Sequence, residues 1–96
     1  MCRNIRVLHN FAPPTTPEEI RAAALQYVRK VGGIQKINSE DEKIVQRAVD
    51  EVTRATERLL AALPARGAVR TREGEKEMAK IRWKMREARI QRAPLR

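Results

Sequence analysis

Apolar residues recur at helical spacing in three stretches of this chain, and clusters of Pro and Gly separate them. In the first stretch Ile20, Ala23, Ala24, Tyr27 and Val31 form one face. Thr16-Pro17-Glu18-Glu19 before it is a start signal: Thr16 caps, Pro17 takes the first helical position and Glu19 closes a capping box. Gly32-Gly33 supplies left-handed backbone to end it. The second stretch is the best patterned. Val45, Ala48, Val49, Val52, Thr56, Leu59, Leu60 and Leu63 fall within a stripe about 120° wide, and Arg47, Asp50, Glu51, Arg54, Glu57 and Arg58 face away. Ser39-Glu40-Asp41-Glu42 repeats the capping logic at its start, and Pro64 and Gly67 stop it.

The third stretch runs from Thr71 to about Ala93, before Pro94, and carries a narrow seam of Met78, Ile81, Met85 and Ala88 spaced 3-4-3. Trp83 and Ile90 lie nearly opposite that seam. The expected fold is therefore all-α: two amphipathic helices with a packed N-terminal lead-in, plus a basic third helix of about 30 Å that can protrude. The corresponding division is a helical core over residues 1–63, a linker over 64–70 and a basic helical extension over 71–96.

Charge sharpens the picture of the extension. Residues 64–96 hold 11 Lys/Arg against 4 Asp/Glu, whereas residues 1–63 hold 10 against 8. Such a gradient concentrates positive potential on one segment and points to phosphates, acidic membranes or acidic proteins as partners. With Phe11, Tyr27 and Trp83 the only aromatics, aliphatic burial must supply most of the folding free energy. A single cysteine, Cys2, excludes an intramolecular disulfide framework and any multi-Cys zinc site within one chain. No apolar run suits a secretory signal or a membrane helix, so the expected location is the cytoplasm.

Two groups of residues carry candidate chemistry. Lys76, Lys80 and Lys84 form an i, i+4 row with Trp83 beside it, and Arg82, Arg86 and Arg89 add charge around the helix. These seven residues form a candidate nucleic-acid site, with cations on phosphates and Trp83 stacked on a base. The plainer reading is a solvated helix, with Glu73, Glu75, Glu77 and Glu87 as local counter-charges. Near the N-terminus, Cys2, Arg3, Asn4 and His9 form a second candidate cluster. Cys2 and His9 lack an oxyanion loop or a second acid–base pair, so catalysis is not expected. Nor is a metal site or any other cofactor, although removal of Met1 would expose an aminothiol at Cys2 able to chelate a soft metal with His9.

The opening Met1-Cys2-Arg3-Asn4-Ile5-Arg6, the segment Asn10-Phe11-Ala12-Pro13-Pro14 and the run from Glu19 to Lys30 resemble a small bacterial family of uncharacterised proteins, domain of unknown function 2277. Arg47-Ala48-Val49-Asp50-Glu51-Val52 and Leu59-Leu60 are similar too, so the resemblance spans about residues 1–63. It implies that the Cys-Arg-Asn-Ile opening belongs to the fold, and it supplies no activity, cofactor or catalytic residue.

Two functional readings follow. The leading one is an accessory nucleic-acid-binding protein, associated with RNA or ribosomes, because no recognition-helix motif for sequence-specific DNA reading is present. The other is a non-catalytic interaction or assembly module in which the seam of the third helix joins a homodimer or a helical protein partner.

Overall fold

The computed structural model describes residues 4–92, and among them the fold is all-α. Helix α1 spans Pro17–Gly32, α2 spans Glu42–Ala62 and α3 spans Arg72–Arg92. The expected stop at Ala93 and Pro94 lies outside the described residues.

Each boundary has a local cause. The capping box at α1 forms as the sequence predicts: Glu19 N–H donates to Thr16 Oγ1 at 3.2 Å, and Thr16 N–H donates to Glu19 Oε1 at 2.9 Å. At the other end Gly33 adopts φ 63°, and the Ile34 N–H reaches back to the Arg29 carbonyl at 2.9 Å. Arg29 closes the turn by donating its guanidinium to the Ile34 and Gln35 carbonyls. Helix α2 starts differently from expectation. Its N-cap is Asp41 in a helical conformation with no side-chain cap bond, so the capping logic read from Ser39 is not used. At its end Leu63 is extended, as a residue before proline prefers. Helix α3 opens on Thr71, whose hydroxyl accepts from the Gly74 N–H at 3.0 Å.

Helices α1 and α2 pack together as a hairpin around Ala24, Val28, Val45 and Val49, with Leu25, Ile34, Ile37, Ala48 and Val52 against this core. Arg21 ties the pair across its edge, donating to Asp50 Oδ1 at 2.7 Å and to Gln46 Oε1 at 2.6 Å. The buried row of α1 is Ile20, Ala24 and Val28, so its inner face is turned from the expected one, and Tyr27 and Val31 are exposed. The α2 stripe also needs correction at its C-terminal end. Leu59 is 54% exposed and Leu63 44%, because α2 has 21 residues against 16 in α1 and outruns it. The lead-in partly covers what α1 leaves, through Leu8, which is buried.

Helix α3 packs against neither α1 nor α2. The radius of gyration is 17.2 Å; a compact chain of this length has about 13 Å. The 50 × 38 × 18 Å extents agree with a helix that projects from the hairpin.

Candidate functional site

What holds α3 in place is a short parallel pairing followed by an arginine clamp. Asn10 sits at φ 62°, a left-handed conformation that asparagine tolerates better than most residues. Its carbonyl accepts from the Arg70 N–H at 2.8 Å, and the Arg70 carbonyl accepts from the Ala12 N–H at 2.9 Å. Asn10 Nδ2 also donates to the Ala68 carbonyl at 3.3 Å, and Arg70 Nη1 to the His9 carbonyl at 2.9 Å. Residues 68–70 are thus stitched to the lead-in, which itself carries a cis peptide at Ala12-Pro13.

One step further along, Arg72 grips Glu19. Its Nη2 donates to Oε1 at 2.7 Å and its Nε to Oε2 at 3.1 Å, a bidentate pair across 53 positions of sequence. The same guanidinium donates to the Pro13 and Pro14 carbonyls at 2.9 and 3.2 Å and lies 5.5 Å over the Phe11 ring. Arg6 adds a third cationic contact to Glu19 at 3.1 Å. Hydrogen bonding from Arg72, then from the Thr16 N–H, holds the Glu19 carboxyl well below the usual range, at about 2. In return the carboxylate pushes the Arg72 guanidinium further up. This clamp was not visible in the sequence, where Thr16-Pro17-Glu18-Glu19 signals a helix start and nothing in it reports a distant arginine.

The predicted basic residues project from the clamped helix. Lys76, Lys80, Arg82, Trp83, Lys84, Arg86 and Arg89 are all exposed, and Trp83 is 55% accessible. Among the described residues, the neighbouring carboxylates pair with one of them, Lys80. Glu75 pairs with Arg70 at 3.4 Å, and Glu77 pairs with Lys80 at 3.5 Å. Lys76, Arg82, Lys84, Arg86 and Arg89 have no ion pair among the described residues. From Lys76 to Arg92 the helix carries seven Lys/Arg against two Glu.

The N-terminal candidates fare differently. Cys2 and Arg3 lie outside the described residues. Asn4 is exposed, its N–H donates to Gln26 Oε1 at 2.9 Å, and it lines an open hollow of about 520 Å³ with Arg29 and Lys30. His9 Nε2 instead bonds the Leu63 carbonyl at 3.0 Å, at the rim of a separate hollow of about 360 Å³ lined by Leu8, Phe11, Ile20 and Leu60. Asn4 and His9 therefore border different cavities. Among the described residues, no three His, Cys, Asp or Glu side chains gather as a metal would require. No described helix is long and apolar enough to cross a membrane.

The family described as Uncharacterized conserved protein (DUF2277) matches residues 1–78. The chain belongs to that family. The match runs past residue 63 and takes in Glu19, Arg70 and Arg72, so DUF2277 covers the hairpin, the lead-in and the clamp. Lys80, Arg82, Trp83, Lys84, Arg86 and Arg89 lie beyond it. No curated protein and no solved structure matches the chain.

Proposed function

We propose that the protein is an accessory nucleic-acid-binding protein, RNA- or ribosome-associated, that uses α3 as its binding element. The observation that carries this reading is the set of five exposed cations on a helix standing clear of the core, with no ion pair among the described residues. Cations held this way keep their full long-range attraction for phosphate and lose no internal partner on binding. In this division residues 1–63 form the core, 64–70 the connection and 71–96 the binding extension. The reading belongs to this chain's own C-terminal third, because the residues it uses extend past the DUF2277 match.

Trp83 gives the reading its preference for single strands. It stands among the cations rather than against the hairpin, and an exposed indole stacks on an unpaired base without regard to sequence. It is also the only tryptophan, so its emission reports on α3 alone. Titration of the full chain with single-stranded RNA at low salt should change that emission, and added salt should reverse the change. Unchanged emission at RNA concentrations that saturate binding would remove Trp83 from the interface.

A further inference from the structure

The hollow of about 520 Å³ beside α1 takes no part in the nucleic-acid reading, and its size is that of a small-molecule site. Ala22, Leu25 and Ile34 give it an apolar wall, and its charged lining residues are Arg29 and Lys30. Among the described residues no carboxylate lines it. Glu40, Asp41 and Glu42 follow in the connection to α2 and at its start, yet neither they nor any other described acid forms an ion pair with Arg29 or Lys30.

The plainer role for Arg29 and Lys30 is to complement the negative end of the α1 dipole. That end already has other partners: the Arg29 and Lys30 carbonyls accept from the Ile34 and Gly33 N–H groups at 2.9 and 3.3 Å. The Ile34 and Gln35 carbonyls hold the Arg29 side chain, taking up N–H groups on Nε and Nη2 and leaving three of its five donors and all of its charge. The wall is preformed as well. A Cβ on Gly32 would come within 2.9 Å of Ile34 Cδ1, so Ile34 lies folded against the end of α1. Gln26 Oε1 accepts from the Asn4 N–H at 2.9 Å, which fixes the Gln26 amide and leaves its Nε2 without an acceptor among the described residues.

We propose that this hollow binds a small anion with an apolar body, a carboxylate or a phosphate monoester. Its oxygens take up Lys30, the remaining Arg29 donors and Gln26 Nε2, and its body rests on Leu25 and Ile34. Both parts are needed, since an anion alone leaves the apolar wall in water and an apolar molecule alone brings no counter-charge. The inference goes beyond the nucleic-acid reading and stands without it, because every residue it uses lies within the family-matched residues 1–78 and none is on α3. The full chain is titrated with phenyl phosphate, phenylacetate, inorganic phosphate and benzyl alcohol, and binding is followed by the NMR signals of the Gly33 amide and the Gln26 and Gln35 side-chain amides. At least one of the two aromatic anions should shift these signals and bind about tenfold or more tightly than inorganic phosphate or benzyl alcohol, and the better of the two identifies the headgroup. Lys30→Gln should weaken that binding by about tenfold. Ala22→Met fills the hollow without altering charge and should abolish it, while the RNA-induced change in Trp83 emission stays as it is. Inorganic phosphate binding as well as the aromatic anions would reduce the site to general attraction by surface cations and overturn the proposal. Shifts confined to α3, or an Ala22→Met variant that binds as the wild type does, would also overturn it.

Discussion

Arg72 and Glu19 join the first turn of α3 to the first turn of α1 through two hydrogen bonds, at 2.7 and 3.1 Å. The pair is only partly accessible, with side-chain exposures of 35% and 19%, and Arg72 also satisfies two proline carbonyls of the lead-in. It fixes the root of a helix that packs against neither α1 nor α2. Direction of α3 relative to the hairpin is therefore set at its base.

The clamp has a pH signature. Glu19 titrates at about 2 when folded against an ordinary value of 4.5, so its contribution is fully present above the ordinary value and is lost as pH falls through the lowered one. Wild type should exceed Arg72→Met in melting temperature at neutral pH, and the gap should narrow between about pH 4.5 and about pH 2 to what the Pro13 and Pro14 carbonyl contacts sustain. Thermal melts of both proteins across that window check this, and a gap independent of pH would separate the stability effect from the Glu19 carboxylate.

Packing of the hairpin predicts a contrast between two positions on one apparent stripe. Val49 is 2% exposed and Leu59 is 54% exposed. Val49→Ala should cost about 1–3 kcal/mol, while Leu59→Ala should cost no more than about 0.5–1 kcal/mol despite the larger side chain lost. Chemical denaturation of the two variants decides it. Equal losses would mean that the C-terminal half of α2 is covered.

Thr53 makes a prediction of opposite sign. It is buried, and its hydroxyl has no hydrogen-bond partner among the described residues. Thr53→Val keeps the shape and removes the unsatisfied oxygen, so it should stabilise the chain by about 1 kcal/mol. A destabilised valine variant would show that the hydroxyl has found a partner.

The contrasts among these residues show where the sequence was legible. Helix α1 is bounded by signals that act within a few positions, Thr16 and Glu19 at one end and Gly33 at the other, and those signals read correctly. The α2 stripe read correctly in periodicity but not in extent, since Leu59 is on the right side of the helix and past the end of its neighbour. Thr53 was missed as a core residue because its hydroxyl disguises its burial. The clamp was illegible for a different reason. Arg72 and Glu19 are 53 positions apart, and only the pairing of Asn10 and Ala12 with Arg70 brings them together. The cations of α3 needed no tertiary information, because their exposure follows from a helix that buries none of its faces in the hairpin.

The central claim is that the free cations of α3 contact phosphate, and the salt dependence of RNA binding tests it most directly. Fluorescence anisotropy of a labelled single-stranded RNA, titrated with the full chain over a salt series, should give a slope of log K against log [salt] of about −3.5 for five phosphate contacts. Replacing Lys76 and Lys84, two of the five unpaired cations, together with Gln should make that slope shallower by up to about 1.4 and weaken binding to all sequences alike. A slope near zero, or a double variant that binds as the wild type does at every salt concentration, would contradict the account.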